Sequence, residues 1–126
     1  PALGFASDRQ CLDQVNTPLD PEEKKPGYDW WRASKHPAVE LVLRGFAHPD
    51  FSDGGSDAQL KIVAHYMLAW LARYEFNNTA ATATLLSKHP FGPSSSVDDI
   101  LSTQFHSAVF LPGTIDCPIL SAACLP

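Results

Sequence analysis

Two residues near the ends of apolar runs have the types and positions to do chemistry together. The run VELVLRG, from Val39 to Gly45, is short, apolar and stopped by a glycine. It reads as a buried strand. His48 follows in the loop FAHPDFSD, with Asp50 and Asp53 close behind. An imidazole just past the carboxyl end of a strand lies where open α/β sheets hold their ligands and their chemistry. Upstream, PALGFA is a second short apolar run, and Ser7-Asp8 ends it with loop chemistry. A histidine that moves a proton needs a carboxylate to fix its tautomer and to stabilise its cation. Asp8 and His48 are therefore expected to be two thirds of a catalytic triad, with the nucleophile as the absent third.

The elements that must position this pair follow from pattern. Pro1–Ala6 is expected as a strand beginning on a proline, which a first strand position tolerates. Cys11–Tyr28 is polar, carries Pro18, Pro21 and Pro26, and reads as a surface excursion with a helical turn after Pro21. Tyr28–Ser34 is expected to be helical. Trp30 and Trp31 cannot point the same way on a helix, so one is expected to face a cleft. Ala38–Arg44 is the second strand. After the glycine-rich SDGGS turn, Ser56 or Asp57 caps a helix over Asp57–Tyr74. On it Leu60, Val63, Met67, Leu68, Trp70, Leu71 and Tyr74 recur at three- and four-residue spacing. That predicts a one-sided helix lying on a sheet. A short helix is expected within Thr79–Ser87, a helical turn over Val97–Leu101, an extended stretch over Thr103–Leu111, and coil over Pro112–Pro126.

Two strands joined by a crossover helix should be parallel. Two parallel strands are too few for a sheet of that kind. The chain therefore reads as the last third of a larger, mostly parallel α/β domain. Residues 1–90 form the domain segment and 91–126 a Pro/Ser-rich extension. The start on Pro1 suggests a processed or truncated product.

The runs PALGFASD, DWWRAS, VELVLRGFAHPDFSD and IVAHYMLAWLARY together resemble the C-terminal part of an α/β-hydrolase. The similar branches are cutinases and polyester hydrolases, dienelactone-hydrolase-like esterases, platelet-activating-factor acetylhydrolases and chlorophyllases. The family's glycine–histidine–phenylalanine pattern falls on Gly45, His48 and Phe51. Its final-helix pattern falls on Tyr66, Leu68, Ala69, Trp70, Leu71, Arg73 and Tyr74. The resemblance implies that His48 is the general base and acid and Asp8 its orienting carboxylate, with Asp13 and then Asp20 as alternatives. It implies two-step acyl transfer on a small-molecule, lipid or polyester ester, with no cofactor. The chain order acid-then-histidine obeys the family's. The nucleophile elbow G-x-S-x-G is absent, so the serine is expected upstream or on another chain, in the N-terminal part of the hydrolase domain. Phe46, Phe51 and one of Trp30 and Trp31 are expected to line an acyl or aryl pocket.

Composition narrows the alternatives. Apolar residues make up 44% and charged residues 18%, as in a globular protein. A net charge of −5 argues against a nucleic-acid partner. No apolar run reaches membrane-spanning length. Cys117 and Cys124 would form a disulfide pinning the tail, or stay free thiols, with Cys11 left over. Asn77-Asn78-Thr79 is a glycosylation sequon on Asn77. Together these suggest a secreted or extracytoplasmic protein. His36, His65, His89 and His106 show no metal-ligand spacing, so no metal site is expected. Asp50 and Asp53 are expected to shape the loop. The rival readings are a small secreted binding module without catalysis and a hydrolase-fold protein that lacks its nucleophile.

Overall fold

The computed structural model describes residues 1–7, 20–92 and 105–126. Among these residues it is a mixed α/β fold with one open four-stranded sheet and three α-helices. β1 (Ala2–Ser7) and β2 (Ala38–Leu43) pair in parallel, with Ala2 opposite Ala38 and Ser7 opposite Leu43. The crossover between them ends in a 3-10 turn over Pro21–Lys24 and α1 (Pro26–Ala33). Beyond β2, α2 (Asp57–Tyr74) and α3 (Ala81–Leu85) precede β3 (His106–Leu111) and β4 (Ile115–Cys117).

The two expected strands and the long helix stand where sequence placed them, but the sheet is not mostly parallel among the described residues. β3 pairs antiparallel with the far side of β2, and β4 antiparallel with β3. The coil expected over Pro112–Pro126 is overturned by this hairpin. Its turn is Leu111-Pro112-Gly113-Thr114, closed by a 2.9 Å hydrogen bond from Thr114 N to Leu111 O. Proline second and glycine third, with φ at +76° on Gly113, is the type II arrangement. The prolines that made the tail look irregular are its punctuation. β2 is thus flanked on both sides, and all six of its residues are buried.

The segment after the hairpin is stitched into the core. Cys117 and Cys124 form a disulfide. Leu120 and Leu125 are buried on opposite faces of the sheet. Leu125 N donates to Ser107 Oγ at 2.9 Å and Lys88 N to Pro126 O at 3.2 Å. Cys11 lies outside the described residues, as does Val97–Leu101.

The faces of β2 alternate. Val39, Leu41 and Leu43 meet α2 in the main core, with Val109, Phe105 and Leu85. Ala38 and Val42 meet α1 through Tyr28, together with Ala108 and Leu120. The sequence-based phase of α2 requires correction. Its buried residues are Ile62, Val63, Tyr66, Ala69 and Trp70, while Met67, Leu68 and Leu71 are exposed. α2 is apolar on most sides, so periodicity alone leaves its rotation open. Tyr66 helps fix it: its hydroxyl, carried inward, donates to Ser87 O at 2.6 Å.

Candidate functional site

The carboxyl ends of β1 and β2 share one edge of the sheet, because the strands run in parallel with Ser7 opposite Leu43. A cleft of about 600 Å³ opens there. Ser7, His48, Phe51 and Ser52 line it from the strand ends and the loop, and Val63 and Met67 from α2. His48 is exposed, as the first residue of a 3-10 turn over His48–Phe51.

The loop that carries His48 is braced. The Asp50 carboxylate accepts from Ala47 N and from Gln59 Nε2, both at 2.8 Å. It thereby ties the residue before His48 to the first turn of α2. That turn is itself held by a capping box: Ser56 Oγ accepts from Gln59 N at 3.3 Å, and Ser56 N donates to Gln59 Oε1 at 2.9 Å. Gly55 packs against the Asp50 carbonyl so closely that a Cβ there would overlap it. The glycine-rich turn is thus a seat for the histidine loop. Asp53 accepts from Ser52 Oγ at 3.1 Å, within the same turn. Both aspartates shape the loop.

The aromatics separate. Phe51 stands in the cleft and packs on Phe46 and Phe5, with ring centroids 5.2 and 6.2 Å away. Phe46 is wholly buried and supports Phe51 from behind. Trp30 is exposed and Trp31 lines a different cleft, so neither is among the residues lining the His48 cleft. On α1 the two tryptophans meet edge to face and diverge toward solvent and sheet.

Asp8 and Asp13 lie outside the described residues. Ser7, the residue before Asp8, lines the His48 cleft. Asp20 caps the turn over Pro21–Lys24, where its carboxylate accepts from Glu22 N at 3.0 Å. Asn77 is exposed beyond the end of α2, with φ at +53°. No group of three or more His, Cys, Asp and Glu side chains converges on a metal position among the described residues. No described helix is long and apolar enough to cross a membrane.

A second site lies on the other face of the β1–β2 pair, and sequence reasoning missed it. Glu40 sits in mid-strand on β2, its residue 9% exposed. Burial pushes its carboxyl up to about 7. Among the described residues no hydrogen bond reaches it. Beside it, Tyr28 is 2% exposed, and its buried hydroxyl has no hydrogen-bond partner among the described residues. Burial pushes that phenol up to about 12. Each such unpaired buried group costs about 1–3 kcal/mol. The signal in the sequence was a glutamate inside an otherwise apolar strand.

Comparison with known protein families, curated proteins and solved structures returned no match.

Proposed function

We propose that this chain is the C-terminal part of an α/β-hydrolase domain and supplies the acid and the base of a serine hydrolase acting on carboxylic esters. One observation carries the reading: parallel β1 and β2 end at one edge, and there His48 shares a cleft with Ser7, the residue before Asp8. The nucleophilic serine belongs to residues outside these 126, on the same precursor or on a separate chain.

His48 takes the proton of that serine as the hydroxyl attacks the ester carbonyl. The protonated imidazole then gives it to the departing alcohol, leaving an acyl-enzyme. In the second step His48 takes a proton from water as its oxygen attacks the acyl carbonyl, and returns that proton to the departing serine oxygen, which releases the acid. The role this reading gives Asp8 is to accept from the other ring nitrogen and so fix the tautomer that faces the serine. The brace from Asp50 to Ala47 and Gln59 limits the drift of the histidine loop between these steps. Phe51 and Met67 offer an apolar wall that suits an acyl or aryl group. The disulfide and the exposed Asn77 sequon support an extracytoplasmic setting.

The test is ester hydrolysis by the protein as isolated from its source. With p-nitrophenyl butyrate as substrate, His48→Ala should lower kcat by about four to six orders of magnitude, since triad members act as a unit. Its thermal midpoint should not move, because His48 is exposed. Activity that survives the change intact would end the reading.

A further inference from the structure

Gly4 and Glu40 are register partners on the α1 face of the sheet. A Cβ on residue 4 would overlap the Glu40 carboxyl, so glycine there lets that carboxyl lie across the backbone of β1. Above it is a cleft of about 160 Å³ whose walls include Gly27, Tyr28 and Trp31. Ala2, Gly4 and Gly27 form the small-residue part of this lining and leave room for an alkyl stem. The cleft shares no lining residue with the one at His48.

Two polar residues thus border one cleft, the acid Glu40 at 9% exposure and the phenol Tyr28 at 2%. Two cations beside this cleft, Lys25 and Arg32, are engaged elsewhere. Lys25 pairs with Glu22 at 3.0 Å and Asp29 at 3.6 Å, and Arg32 with Asp116 at 2.7 Å. What the cleft offers is an acceptor carboxylate, a phenolic oxygen and an indole wall. That combination matches a donor-rich cation on a short stem.

We propose that the Glu40–Tyr28 cleft is a receptor site for one organic cation head, a primary ammonium or a guanidinium group. Glu40 accepts its N–H donors, the Tyr28 oxygen accepts one more, and Trp31 flanks the stem. The head arrives either on a free amine or on a Lys or Arg side chain brought to the outer edge of β1, where no described strand pairs. This site is independent of the hydrolase reading, since its chemistry and its test use neither His48 nor ester hydrolysis.

The test uses the protein with ¹³C-labelled glutamate, titrated from pH 4 to 9 with and without n-butylammonium or n-butylguanidinium. Binding of either probe should lower the Glu40 midpoint by about one pH unit or more. Affinity should rise with pH between the bound and the free Glu40 midpoints, about tenfold for each unit of midpoint shift, and level above pH 7. Neutral 1-butanol should do neither. The other titratable groups on this layer include Asp29 and Arg32 on α1, His36 packed on Trp31, His106 on β3 and Asp116 on β4. Glu40→Gln separates their contribution: it should abolish the pH dependence and weaken binding at least about tenfold. Tyr28→Phe, which keeps the ring, should weaken it several-fold. A Glu40 that titrates in the ordinary carboxylate range and ignores both probes would show the second source only where a through-space NMR contact joins its side chain to a Lys or Arg side chain; without that contact it would overturn the proposal. A Glu40 that titrates near 7 and responds to neither probe would overturn the proposal.

Discussion

The two faces of the β1–β2 pair are made from alternate residues of the same strands, and they solve opposite problems. On the α2 face, Phe5, Val39, Leu41 and Leu43 are apolar. Polar chemistry is deferred to the strand ends, where His48 is exposed on a braced loop. On the α1 face the residues are small, and the polar group sits in mid-strand, buried and without a partner among the described residues. The first arrangement costs the fold little, because an exposed imidazole keeps its water. The second costs stability in the isolated fold, because a carboxyl loses its water and gains no partner. A strand end can be given a task without taxing the core, whereas a mid-strand acid calls for a ligand.

Substitutions can break or sharpen this contrast. The largest effects belong to the edge. His48→Ala should abolish ester hydrolysis without shifting unfolding, and Asp8→Asn should lower kcat about 10⁴-fold through the wrong tautomer. Steady-state kinetics beside a thermal melt separates rate from stability in both.

The next effect belongs to the other face, and its sign is opposite to the usual acid. Glu40 has a folded value raised to about 7 from 4.5. Between those values the folded state holds a proton that the unfolded state has released. Stability therefore falls as pH rises through this window, by about 3 kcal/mol in all. Glu40→Gln should remove that fall, making the variant more stable than the parent at pH 8 and little changed at pH 4. Urea unfolding at the two pH values reads both.

Opening the Cys117–Cys124 disulfide should cost about 2–3 kcal/mol in the loop-entropy account, measured as the drop in urea midpoint on replacing both cysteines with serine. Asp50→Ala should cost about 1–3 kcal/mol, since it strands the Ala47 amide and releases Gln59. Unlike His48→Ala, it should therefore lower both activity and stability. The smallest effect is expected at the Arg32–Asp116 pair, whose side chains are 37% and 51% exposed. Arg32→Gln should lower the midpoint only slightly, because the pair is bidentate but partly in solvent.

Local signals in the sequence carried much of the edge site. β1 and β2 are apolar runs stopped by polar or glycine residues, and Ser56 announces α2 through its capping box. Asp50 and Asp53 shape the loop as their types suggested. The misreadings have non-local causes. The phase of α2 depends on which side meets Leu41 and Val109, and its apolar residues surround the axis. β3 and β4 look irregular until the Pro112-Gly113 turn pairs them. The Glu40 cleft was invisible because it needs the register that sets Gly4 opposite Glu40, and a helix that brings Tyr28 and Trp31 over both. One residue's slip in that register would turn Glu40 toward α2 or set a side chain against it.

The central claim is that His48 serves a serine that lies outside these residues. The most direct measurement is fluorophosphonate labelling of the protein as isolated, followed by intact mass and peptide mapping, for the parent and for His48→Ala. The account predicts one labelled serine in sequence other than these 126 residues, with labelling lost when His48 is replaced. A parent that takes up no label, or labelling that proceeds unchanged without His48, would contradict it.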